Sequence, residues 1–201
     1  MRIRQWIIGI LVLATGLTVS IQAGNFVSNH WATHPSVHDI VLEHIPYVNL
    51  FFIGEMLYWL VLATYLLLYI RYQRAQIPYI LCLVGIYYLL RSLFLILLPI
   101  GHPFSAPEYG ERWSAYPQFA YFPSGHLGFL TIITLGLGPI RFHRWFWLLV
   151  LFFGVGMIVT RAHYTVDILG AVVIAYAVYA FAEQHLRSRW FAKNTQPALG
   201  K

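Results

Sequence analysis

The sequence predicts an all-α integral membrane protein with six transmembrane helices, both termini in the cytoplasm, and a helical-bundle core built from the later spans. Three observations lead there. Of 201 residues, 59% are hydrophobic and only 10% charged, against about 25% charged in an average soluble domain. The apolar residues fall into six runs able to cross roughly 30 Å of hydrocarbon, a distance that takes about 20 helical residues. The basic residues collect in short segments between alternate runs. A formal net charge of +6 would suggest a nucleic-acid partner in a soluble protein, but charges confined in this way report topology, and no nucleic acid is expected.

The runs lie near 5–23, 48–70, 78–99, 124–140, 143–160 and 165–183. The first follows Arg2 and Arg4 and ends on Ile21-Gln22-Ala23, a pattern that also fits a secretory leader; we expect it to stay as a span. With six spans, the termini and the even-numbered connections share one side. That side holds Arg2, Arg4, Arg71, Arg74, Arg141, Arg144, Arg187, Arg189, Lys193 and Lys201, ten of the thirteen Lys and Arg. The opposite side holds Arg112 and Arg161, and Arg91 lies inside a span. The positive-inside rule then makes the termini cytoplasmic and the loops 24–47, 100–123 and 161–164 outer. A single cysteine, Cys82, rules out an intrachain disulfide and a multi-cysteine metal site. No repeat or linker divides residues 1–201, so one domain is expected, with a frayed tail after Arg187.

Two outer segments carry chemistry. One ends in Phe122-Pro123-Ser124-Gly125-His126 and runs into the fourth span; the other reads Arg161-Ala162-His163-Tyr164-Thr165-Val166-Asp167 and runs into the sixth. Ser124 reads as a helix N-cap, which leaves His126 without a structural reason. Asp167 follows His163 by four residues, one helical turn if the sixth span begins near His163. Asp167 would then take the Nδ1 hydrogen and leave Nε2 as a nucleophile. His126, with an ordinary pKa near 6.5, suits protonation of a leaving oxygen and later deprotonation of water or an alcohol. Phosphorus is the natural electrophile, because phosphoryl transfer needs positioning and charge stabilisation above all. Ser124, Gly125 and the amides that open the fourth span, together with Arg161 and Arg91, are the candidate phosphate ligands.

These segments resemble the second and third signature motifs of the type 2 phosphatidic acid phosphatase superfamily. The HYTVD form is most similar to its sphingomyelin synthase-like branch, as is the stretch from Leu90-Arg91-Ser92-Leu93-Phe94 to Leu98-Pro99-Ile100-Gly101-His102-Pro103. The resemblance covers about 120 residues in the expected order. It implies a phosphohistidine at His163, backed by Asp167, with His126 as general acid and an extracytoplasmic site. The lysine-containing first motif is missing, and Arg161 stands two residues before the histidine where the family's third motif has its arginine six before.

Glu55 and Arg91 sit at similar depth, each about eight residues from the outer boundary; an ion pair between them is expected, with an acceptor-side role for Glu55 as the other reading. His30, His34, His38, Asp39 and His44 crowd the first outer loop, but Pro35 interrupts the spacing a helical metal site needs. No metal or cofactor is expected. Trp113, Tyr116, Phe119, Tyr121 and Phe122 fit a headgroup anchor or a lid. The expectation is thus a metal-independent lipid phosphatase drawing a lipid phosphate from the outer leaflet of a bacterial-type inner membrane. Transfer of a phospho-headgroup to a lipid alcohol is the alternative, and a non-enzymatic transporter or structural subunit is the rival of another class.

Overall fold

A computed structural model describes residues 3–30, 37–101, 103, 122–138 and 143–191. Its regular elements are α1 (Ile3–His30), α2 (Ile40–His44), α3 (Phe51–Tyr72), a 3-10 turn (Arg74–Gln76), α4 (Ile77–Leu97), α5 (Gly125–Gly136), α6 (His143–Val159), α7 (Thr165–His185) and α8 (Arg187–Phe191). No strand occurs among the described residues. Four helices, Ile3–His30, Ile53–Tyr72, Arg74–Leu97 and Thr165–His185, are long and apolar enough to cross a membrane. α5 and α6 are apolar but shorter, at 12 and 17 residues.

The surface of the bundle is largely apolar, and an otherwise apolar interior takes in polar groups. Leu11, Trp59, Leu60, Leu67, Leu169 and Val173 are exposed, whereas Ser20, Ser92, Ser124, Thr131, Thr134, Thr160, His163 and Asp167 are buried beside core residues such as Leu83, Leu127 and Leu130. A water-soluble bundle would not present so many large apolar side chains outward. Hydrocarbon as solvent gives no reason to hide leucine and every reason to turn hydroxyls and charges inward.

Contacts between neighbours fix the helix directions. α1 runs parallel to α4, with Gly9 on the Pro78 backbone, Gly16 on that of Gly85, and Ser20 reached by Arg91. A Cβ on Gly16 or Gly85 would overlap the facing main chain, so this seam depends on residues without side chains. α5 lies between α3 and α4. Tyr65 Oη meets Thr134 Oγ1 and Tyr69 Oη donates to the Ile133 carbonyl at 2.7 Å from the α3 side, while Tyr87 packs on Gly128 from the α4 side. α3, α5 and α7 therefore run opposite to α1, α4 and α6, and the starts of α5 and α7 meet at one end of the bundle.

Three details differ from the sequence reading. The first helix continues seven residues beyond position 23, to His30, because no Pro or Gly pair interrupts it. The fourth ends at Gly136 instead of 140, where Leu137 closes a tighter turn onto Thr134 and Gly138 takes a left-handed φ of 64°. Residues after Arg187 do not simply fray: α8 folds back so that Gln5 donates to the Trp190 carbonyl and Tyr79 packs on Trp190 and Phe191.

Candidate active site

The chain reaches the site through the end of α6. Thr160 N–H still bonds the Gly156 carbonyl, but Arg161 turns left-handed at φ 53°, and the Ala162 and His163 amides fold back onto the Met157 carbonyl at 2.9 and 3.3 Å. A non-glycine residue in that conformation costs about 1 kcal/mol, and the turn it makes delivers His163 to a buried position between Ser124 and Asp167. Arg161 Nη2 donates to the Ile45 carbonyl at 3.3 Å, so its guanidinium braces the segment after α2.

α7 begins only at Thr165, with Tyr164 as its N-cap. His163 therefore precedes the helix and does not share a helical face with Asp167, as the four-residue spacing suggested. They meet because Asp167, third residue of α7, reaches back: its Oδ2 accepts the Tyr164 amide at 2.9 Å and lies 3.2 Å from His163 Nδ1. Capping the helix and orienting the imidazole are one act of the same carboxylate oxygen. Asp167 is fully buried, and its Oδ1 has no hydrogen-bond partner among the described residues.

Ser124 completes a chain of three. Its Oγ is 3.2 Å from His163 Nε2 and accepts the Leu127 amide at 3.4 Å, as the N-cap of α5 should. With Nδ1–H donated to Asp167, Nε2 is an acceptor for the Ser124 hydroxyl. A main-chain bond from the Ser124 amide to the Asp167 carbonyl, 3.2 Å, ties the two helix starts together. Beyond Ser124, the amides of Gly125 and His126 make no hydrogen bond among the described residues and open the N-terminus of α5.

His126 stands on the other side of this loop. Its ring packs edge-on to Tyr58, 4.8 Å between centroids, and its Nε2 is 4.0 Å from Glu55 Oε1. Glu55 thus faces His126 and not Arg91, contrary to the expected ion pair, because α5 intervenes between the helices that carry them. Arg91 Nε donates to the Pro123 carbonyl at 2.9 Å and Nη1 to Ser20 Oγ at 2.7 Å, which anchors the loop to α4 and α1. The side chains of His126 and Glu55 are 36% and 25% exposed, those of His163 and Asp167 11% and 0%, so one histidine is open and the other enclosed.

Sequence reasoning missed several partners. Asp39 caps α2 through the Val41 and Leu42 amides, and also takes the Thr165 amide at 2.6 Å and the Thr165 hydroxyl at 3.1 Å. Burial raises its carboxyl, but the bonds from Thr165, Leu42 and Val41 outweigh that and hold it below its ordinary value. An Asp before an apolar run signals a cap; nothing in the pattern announces Thr165. Tyr58, Tyr87 and Tyr88 were unmarked too, although a tyrosine inside an apolar run needs a hydroxyl partner. Of the crowded histidines, His30 and His44 bond the carbonyls four residues back, and His38 pairs with Glu43 at 3.0 Å. His34, Pro35, His102, Arg112 and the aromatic residues 113–121 lie outside the described residues.

No family model matches the chain, and no curated protein matches it in sequence.

Proposed function

We propose that this protein is a metal-independent lipid phosphoester hydrolase of six membrane crossings, working through a phosphohistidine at its outer face. The observation that carries the reading is the buried chain Asp167–His163–Ser124, set at the N-terminus of α5 within two residues of a second, more open histidine. An ordered, aspartate-backed imidazole facing an anion-binding helix start suits attack on a phosphate better than it suits transport. The resemblance of FPSGH and HYTVD to the type 2 phosphatidic acid phosphatases points the same way. The alternation of helix directions supports crossings by the short helices α5 and α6 as well, and the Lys and Arg distribution supports cytoplasmic termini.

The substrate is a lipid phosphate ester drawn from the outer leaflet. Its phosphate displaces the Ser124 hydroxyl from Nε2 and accepts bonds from that hydroxyl and from the Gly125 and His126 amides. His163 Nε2 attacks phosphorus; the bond from phosphorus to the lipid oxygen breaks, and His126 supplies the proton that oxygen needs. Asp167 balances the charge left on the imidazole. His126 then takes a proton from water as it attacks the phosphohistidine, releasing phosphate and restoring both histidines.

One observation favours a second reading. The Glu55–His126 pair is open where His163 is closed, leaving room for a lipid alcohol to approach the same base and accept the phospho-headgroup. The purified protein is to be offered phosphatidic acid, phosphatidylglycerol phosphate, isoprenyl diphosphate and phosphatidylcholine, with and without ceramide, and the products identified by mass. Free phosphate or phosphorylated headgroup supports hydrolysis; headgroup on ceramide supports transfer. Turnover undiminished in His163→Ala would sink both. A trapped phosphoenzyme stable to base and labile to acid marks histidine, whereas the opposite stability would move the nucleophile to Ser124, with His163 as its base.

A further inference from the structure

Four consecutive carbonyls of the anion loop are held from behind by side chains of α3 and α4. Arg91 Nε donates to Pro123 at 2.9 Å, Tyr87 Oη to Ser124 at 2.7 Å, Tyr88 Oη to Gly125 at 3.3 Å and Tyr58 Oη to His126 at 3.4 Å. A peptide unit joins the carbonyl of one residue to the amide of the next. The carbonyls of Ser124 and Gly125 are therefore the far ends of the two peptide units whose N–H groups, on Gly125 and His126, open the helix.

From this we infer that Tyr87 and Tyr88 are positioning residues for an oxyanion: through the peptide plane, each hydroxyl orients and polarises the amide on the other side. Hydrogen bonds in series reinforce one another by an order of 10–30% per bond in a low-dielectric site. A donor on the carbonyl draws charge from the same amide that must bind a phosphoryl oxygen, and it stops the plane from rotating so that its carbonyl faces the anion. The placement has a steric counterpart. Tyr87 can lie against α5 only because residue 128 is glycine, where a Cβ would overlap the phenol ring. Tyr87 is fully buried, so its hydroxyl has no solvent role to play. The Ser124 carbonyl already accepts the Gly128 amide at 3.1 Å, and the tyrosine bond is additional to what the helix requires.

This inference rests on the phosphate reading of the site, and the test separates the two. Orthovanadate, which mimics a transferring phosphoryl group, is titrated into the purified full-length protein and into Tyr87→Phe, Tyr88→Phe, the double variant and Tyr65→Phe. The last loses an α3 hydroxyl that meets the same helix α5 at Thr134, far from the loop. Vanadate affinity is expected to fall roughly fivefold per loop hydroxyl, the scale of one hydrogen bond, with kcat reduced, KM for lipid nearly unchanged and Tyr65→Phe like the parent. Parental affinity in folded Tyr87→Phe and Tyr88→Phe overturns the inference and leaves the phosphate reading standing. No vanadate binding by the parent protein removes both. Should Tyr87→Phe fail to fold, the partly buried Tyr88 decides: unchanged vanadate affinity in Tyr88→Phe rejects the inference.

Discussion

Asp39 accepts both the amide and the hydroxyl hydrogen of Thr165, 126 positions away in the chain. That places the first connection of the chain against the start of α7, two residues from His163. Tyr164 Oη, which receives the Val37 amide at 3.3 Å, makes a second tie between the same segments. The latch holds the helix whose first turn carries Asp167.

Replacing Asp39 by Ala removes the α2 cap and the latch together, and should lower stability by about 1 kcal/mol, the usual value of such a cap. The effect depends on pH with a definite sign. Because folding depresses the carboxyl below its ordinary value, its contribution is present above the unfolded pKa near 3.9 and is lost as pH falls through the folded pKa. Thermal unfolding of parent and Asp39→Asn, followed from about pH 6 down to about pH 3, should converge as the medium becomes acid. A difference that stays constant would show that the carboxylate charge is not what the latch uses.

Asp167→Asn tests charge apart from folding. An asparagine oxygen in the place of Oδ2 still accepts the Tyr164 amide and the His163 Nδ1 hydrogen, so α7 keeps its cap and the imidazole its orientation, but the negative charge behind the imidazole is gone. Turnover should drop by roughly two to three orders of magnitude, the scale of losing one preorganised electrostatic contact, while the unfolding midpoint moves little. Loss of both in parallel would make Asp167 a structural cap and nothing more.

How much of this was open to the sequence depends on the range of each interaction. The helices follow from long apolar runs, and Ser124 announces a helix start because capping is local. His163 and Asp167 could be paired by spacing, although spacing alone suggested a shared helical face where an N-cap return brings them together. The partners of Glu55 and Arg91 were not legible. Their depth was, but α5 separates α3 from α4, and which helix lies between two others is a matter of packing. The same holds for Asp39 and Thr165, and for Tyr87 with Ser124, where residues far apart in the chain meet through hydroxyl and carbonyl groups common to every apolar helix.

Gly128 is a position where packing and site coincide. Gly128→Ala forces the Tyr87 phenol off α5, and overpacking of this kind costs about 1–3 kcal/mol. Stability should fall by that amount, and activity by more than the lost stability explains, since the Ser124 carbonyl loses its tyrosine donor and keeps only the helix amide of residue 128. Adding Tyr87→Phe to Gly128→Ala should then lower activity little further, because the hydroxyl is already displaced. Additive losses in the double variant would separate the two effects.

His126 offers the sharpest separation of roles. If it is the proton donor proposed above, it matters in proportion to how badly the departing oxygen needs a proton. His126→Ala should therefore slow hydrolysis of an alkyl phosphate by roughly 10²–10⁴-fold. A substrate whose leaving group is an acidic phenol departs without help, and its first step should survive the substitution almost intact. Water must still be deprotonated to release phosphate from His163, so the phosphoenzyme should accumulate, with a burst of phenol followed by slow turnover. His163→Ala forms no such intermediate and should show no burst with either substrate. Equal losses on both substrates in His126→Ala, with no burst, would assign His126 to binding and leave the leaving-group proton to another group.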